Sequence, residues 1–161
     1  MAWDPKKKKL TDIRLVLPDK EIARLKKSLS KLRPASQRKV LRPAITKGCR
    51  AIKRVMQQKA GDIKDTGALQ KSIGFVVKTY PRKNTVQGWI GPRSDYQPGG
   101  PGKRKPALYA HLVEFGTVHS HKTPFVRPTI DQAMPEVTAI LVREVRANMK
   151  KELLRLKAKR R

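Results

Sequence analysis

Residues 129–157 read TIDQAMPEVTAILVREVRANMKKELLRLK, and within them Ile130, Met134, Val137, Leu141, Val145, Met149, Leu153 and Leu156 keep a helical register. Side chains three and four apart fall on one stripe of a helix, so this stretch predicts a C-terminal helix of about 28 residues. Pro135 falls near its start, where a missing backbone N–H costs less than in the interior. A helix this long outruns any core that the rest of a 161-residue chain offers. Its basic end, with Lys157, Lys159, Arg160 and Arg161, is therefore expected to meet another subunit or DNA.

Upstream, residues 36–59 place Leu41, Ile45, Cys49, Ile52 and Met56 at near-helical intervals, which predicts a second helix. Pro43 and Gly48 interrupt the pattern and are candidate kink points. Arg38, Lys39, Arg42, Lys47, Arg50, Lys53 and Arg54 mostly fall away from the stripe, so this helix offers a basic wall. The preceding PDKEIARLKKSLSKL (18–32) holds Ile22, Leu25, Leu29 and Leu32 on a narrow stripe beneath a lysine-rich face, with Asp19 as N-cap and Pro34 as the stop. Before that, residues 10–17 alternate apolar Ile13, Leu15 and Leu17 with Arg14 and Val16, the period of a strand.

Between the helices, DTGALQKSI (65–73) predicts a short helical turn started by Asp65 or Thr66. Residues 73–80 and 85–90 are rich in β-branched and aromatic side chains, and the intervening PRKN has turn chemistry, so a β-hairpin with Arg82 and Lys83 at its tip is expected. Residues 91–106 hold four prolines and four glycines and predict a long exposed loop. Leu108, Leu112 and Phe115 have the spacing of a short helix, with Gly116 as its left-handed stop. The sum is an α+β fold in which a small antiparallel sheet packs with two N-terminal helices and the long C-terminal helix. The expected organisation is a basic arm over 1–9, a single domain over 10–150 and a basic helix end over 151–161.

The 39 Lys and Arg against 12 Asp and Glu give a formal charge of +27 and a pI near 11.0. The excess is greatest in residues 1–60, which carry 19 basic and 4 acidic groups, among them Lys6, Lys7, Lys8 and Lys9. Such self-repulsion is tolerable beside a polyanion, because neutralised phosphates release condensed counterions. That makes double-stranded DNA, held by non-specific backbone contacts, the leading ligand. No apolar run approaches the ~18 residues that a membrane span requires, and no signal peptide is expected before the domain. With Cys49 as the sole cysteine, neither an intramolecular disulfide nor a multi-cysteine zinc site can form.

Catalytic constellations are missing. His119 and His121 stand as H-x-H in a loop and would need further ligands that only Glu114 and Asp131 lie near enough in sequence to supply. Cys49 sits on the apolar stripe of a predicted helix, where a thiol packs as a small hydrophobe. The acids are scattered, with no D-x-D or paired-Glu cluster to hold the cations of a two-metal nuclease, and GGPGKRK lacks the Ser/Thr and setting of a phosphate loop. The eight aromatics form no strand cluster for stacking bases. No enzyme, cofactor or metal is expected.

Three segments in order, DTGALQKSI, LYAHLVEFGT (108–117) and PFVRP (124–128), resemble one family: the small neck, tail-completion or minor tail-component proteins of long-tailed phages, typified by the gene-ten product of a lambdoid phage. The resemblance runs from about residue 20 to residue 150 and covers Thr66, Gly67, Leu69, Tyr109, Glu114, Phe115, Gly116, Phe125, Arg127 and Pro128. Thr129 stands where the family often has alanine, and the basic arm and the proline-glycine insertion are departures from its pattern. The resemblance implies a non-enzymatic virion protein of the head-to-tail junction. As such it would form a hexameric or dodecameric ring around the DNA channel, adjoining connector or head-closure proteins and tail-terminator or tail-tube proteins. The alternative from another class is a nucleoid-like or ribosome-associated nucleic-acid-binding protein. Within the motif, Glu114 is expected to pair with Arg127, and Gly67 and Gly116 to hold unusual backbone angles.

Overall fold

The computed structural model describes residues 19–63, 67–99 and 104–158, with side chains from Ala23 onward. The strand expected over 10–17, the arm lysines Lys6, Lys7, Lys8 and Lys9, the turn residues Asp65 and Thr66, and Lys159, Arg160 and Arg161 lie outside these residues. The elements in order are α1 (Asp19–Ser30), α2 (Pro34–Gly61), α3 (Ala68–Ser72), β1 (Ile73–Tyr80), β2 (Thr85–Pro92), α4 (Pro106–Phe115) and α5 (Val126–Ala158). The architecture is α+β: helices flank a two-stranded antiparallel hairpin.

Helix α2 is the spine, and its residue pattern explains why. Val40, Ala44, Ala51 and Val55 are buried along one flank and Cys49, Ile52 and Met56 along another, so the helix has two apolar faces at an angle. The first takes α5, which runs antiparallel to it: Ser36 Oγ donates to Glu152 Oε1 at 2.8 Å, Asn148 Nδ2 donates to the Val40 carbonyl at 3.3 Å, and Lys47 and Arg54 reach Glu144 and Glu136. The second takes the hairpin, where Gly88 lies so close that a Cβ would overlap Cys49 Sγ. The main core joins Ile52, Val55 and Met56 to Leu69, Ile73, Phe125, Ala133 and Val137. Each such side chain fully buried contributes roughly 1.5–3 kcal/mol.

Several expectations are refined. Pro34 does not simply stop α1; it opens α2 at the first helical position, where its missing N–H and fixed φ are harmless. α2 stays helical through Pro43, which is exposed. The hairpin keeps the expected strands, with Ile73 opposite Pro92 and Tyr80 opposite Thr85, and β2 extends into the first two residues of the anticipated loop. Asn84 closes the turn at φ 45°, a conformation that asparagine accepts more readily than most residues. Its amide donates to Gln37 Oε1 at 2.6 Å while its Oδ1 accepts from Arg38 at 3.0 Å, which ties the hairpin tip to the start of α2.

Helix α5 differs from its expected form in two ways. It begins at Val126, so Pro135 lies in its interior, exposed, and not near its start. Its far end is also held: Leu156 and Met149 pack with Leu29, Leu32, Val40 and Val145 in a second cluster where α1 meets α2. The helix therefore does not outrun its core as expected, although Leu153 and Leu154 remain exposed.

Candidate interaction surfaces

The segments LVEFGT and PFVRP meet in space and form a latch between α4 and α5. Glu114 is only 8% exposed, and its carboxylate accepts from the backbone N–H groups of Phe125 at 2.7 Å, Val126 at 2.9 Å and Arg127 at 3.3 Å. Those amides open α5 and have no partner within the helix, so a negative group brought in from α4 both satisfies them and complements the helix dipole. This corrects the expected ion pair: the carboxylate of Glu114 binds the main chain at Arg127, whose side chain is exposed. It also explains why α5 starts ahead of Thr129, since the cap comes from another element. Gly116 ends α4 at φ 75° and ψ 175°, an extended positive-φ conformation and not the left-handed helical stop expected; a Cβ there would sit 2.9 Å from the Lys122 nitrogen, and Thr123 N–H donates to the Val113 carbonyl at 2.8 Å, closing the loop. Phe125 is buried in the core, Thr129 Oγ1 donates to the Phe125 carbonyl at 2.6 Å, and Pro128 is half-buried in the first turn of α5. Gly67 holds the unusual backbone angle expected of it, starting α3 in the left-handed conformation at φ 70°, and Leu69 behind it is buried in the core.

Pro106 is buried and Ala110 and Val113 pack against the main core, while the opposite face of α4 is turned outward. Leu108 is 64%, Leu112 42% and Phe115 74% exposed, so the apolar stripe that identified this helix faces solvent while its acid is buried. Tyr109 is half-buried beside the stripe. Val118, just past the helix, is also exposed, and Val76 and Trp89 form an exposed cross-strand pair on the hairpin.

The basic wall of α2 divides into two sets. Arg38, Lys47 and Arg54 are engaged by Asn84, Glu144 and Glu136. Lys39, Arg42, Arg50 and the half-buried Lys53 form a line between the two packed flanks of α2, and among the described residues no side-chain partner stands against them. Sequence reading missed the acids that make this division. Glu136, Glu144 and Glu152 recur every eight residues on α5 and each bonds to α2, a spacing that could have been noticed. The hydrogen bond from Lys47, aided by its charge, holds the Glu144 carboxyl below its ordinary value. Lys157 lies on the exposed last turn of α5.

Elsewhere, burial pushes the Cys49 thiol up, away from the reactive thiolate. His119 and His121 are exposed, and among the described residues no three His, Cys, Asp or Glu side chains group to hold a metal. Among the same residues no helix is long and apolar enough to cross a membrane.

Comparison with known families matches residues 23–116 to the HK97-gp10-like family, described as "Bacteriophage HK97-gp10, putative tail-component". The chain belongs to the HK97-gp10-like family. The matched span is more than half of the chain and holds α2, the hairpin and α4 up to Gly116. It ends where the latch begins, so PFVRP lies past it but is bound to it through Glu114. Among curated proteins and among solved structures nothing matches. Membership in the HK97-gp10-like family makes the chain a structural component of phage tails, with its place in the virion.

Proposed function

We propose that this HK97-gp10-like chain is a non-enzymatic ring subunit of the head-to-tail junction, acting in the neck or in tail completion. Six or twelve copies surround the DNA channel, joining connector or head-closure proteins to the tail terminator or tail tube. The observation that carries this reading is the line of Lys39, Arg42, Arg50 and Lys53 on α2, free of side-chain partners among the described residues of a family of tail components. Cations left without acids suit a passing duplex, which they would hold by its backbone without reading bases. Lys157 and the basic residues outside the described segments, Lys6 to Lys9 with Lys159, Arg160 and Arg161, divide between the lumen and acidic neighbours. Within this reading residues 1–9 are an arm on a single domain over 10–150, and residues 151–161 are a basic helix end.

Size-exclusion chromatography with light scattering, negative-stain electron microscopy and a salt series of DNA binding test it together. Closed particles of six or twelve copies are expected. Reversing Lys39, Arg42, Arg50 and Lys53 to glutamate should flatten the log–log salt dependence by about four units, near one for each phosphate no longer neutralised. A monomer that binds DNA tightly by itself would instead support the nucleoid-like or ribosome-associated alternative.

A further inference from the structure

We infer that the exposed ridge of α4 docks into the outward groove of α5 on a second copy of this chain, making the repeated contact of the ring. The inference rests on the ring reading and adds to it which surfaces meet.

Two copies of a chain carrying +27 repel each other, so close approach costs least where Lys and Arg are sparse. Lys and Arg make up 39 of 161 residues, yet two long stretches have none. One is 106–121, which contains the ridge of Leu108, Leu112 and Phe115 with Val118 beyond it. The other is 128–142, the N-terminal half of α5, where the only charged side chains are the acids Asp131 and Glu136.

The shapes of the two stretches differ in the complementary sense. Residues four and seven apart make Leu108, Leu112 and Phe115 a convex apolar row. The α5 surface is an open groove lined by Pro135, Thr138, Ala139 and Val142, with Arg143 and Arg146 at its far end. Pro135 and Ala139 are exposed and bring no charge to desolvate. A row of large apolar side chains left in water marks an interaction surface in a chain whose hydrophobic content is only 38%.

The latch gives the contact its rigidity. Glu114 clamps the end of α4 to the first turn of α5, so the ridge on one helix and the groove on the other are held on one scaffold. A ridge that meets a groove, and not another ridge, is a heterologous contact, and repeating it generates a ring when the rotation closes.

Site-specific cross-linking tests the contact, since the sole native cysteine is buried. In the full chain, Leu112→Cys with Ala139→Cys should yield a dithiothreitol-sensitive ladder of multiples under mild oxidation, whereas either single variant should yield none. A mixture of the two single variants should give the mixed dimer alone. Separately, Phe115→Asp should weaken self-association about thirtyfold by light scattering, as expected when a central apolar anchor is removed. Its circular dichroism and melting temperature should be unchanged, because Phe115 is exposed. Dimers from Leu112→Cys alone would overturn the inference in favour of ridge-to-ridge docking. A monomer without any ladder, even with connector or tail proteins added, would overturn it too. Closed rings in the microscope without the ladder would sink this interface and leave the ring reading standing; absence of rings as well would sink both.

Discussion

Helices α2 and α4 carry apolar side chains at the same three-and-four spacing, yet they are built inside out with respect to each other. In α2 the stripe is buried, with Ile52 and Met56 in the main core, and the cations are outside. In α4 the stripe of Leu108, Leu112 and Phe115 is outside and the one acid, Glu114, is buried. The difference teaches that periodicity reports a face without saying which way the face turns. For α2, turning the stripe inward removes apolar area from water on two flanks. For α4, the inward side carries Ala110 and Val113, which pack against the main core, together with Glu114, which meets the demand of the α5 amides for an acceptor only when that side points inward.

The comparison can be broken most directly by truncating one stripe residue from each helix. Met56→Ala should destabilise the protein by about 3 kcal/mol through reduced burial and the cavity left behind, whereas Leu112→Ala should stay within about 0.5 kcal/mol in the monomer. Equal shifts in denaturant midpoint would show that the α4 stripe is packed after all. A smaller effect isolates the reason for the inversion. Glu114→Ala leaves the amides of Phe125 and Val126 without their acceptor and should cost about 2 kcal/mol. Hydrogen exchange should then speed selectively at residues 125–127 while the α2 amides stay protected.

The smallest effect concerns the seam between α2 and α5. The Glu144 carboxyl is held below its ordinary value of 4.5 by the hydrogen bond from Lys47. A group whose folded pKa is depressed contributes stability that is present above its unfolded pKa and lost as pH falls through the folded one. Unfolding midpoints for the native chain and for Glu144→Gln should therefore differ above about pH 5 and converge in more acidic buffer. A gap that widens on acidification would reverse the assignment. The contribution is slight because water and salt reach the pair, with Lys47 half in solvent.

Much of the fold was legible because local chemistry and tertiary packing agree. The β-branched runs around PRKN pair as the hairpin, and Gly67 and Gly116 both hold the positive φ that their positions in the motif suggested, although only Gly67 is in the left-handed helical conformation. The candidate surfaces were less legible. All seven cations of the α2 wall look equivalent as text, and only the partners across the seams separate Arg38, Lys47 and Arg54 from Lys39, Arg42, Arg50 and Lys53. Likewise Glu114 and Arg127 have opposite charges at a suggestive separation, but the nearer and less satisfied donors were backbone amides, which no side-chain pattern displays.

What the sequence determined alone is whatever depends on neighbours along the chain: the helical and strand periods, the turns, the surplus of positive charge and the family motifs. Those are set by spacing and by backbone preference, which need no other element. The tertiary structure decided which face of each helix is covered, where α5 begins and which cations are neutralised. These outcomes depend on groups far apart in sequence competing for the same donors and the same buried space, and that competition is settled only when the elements meet.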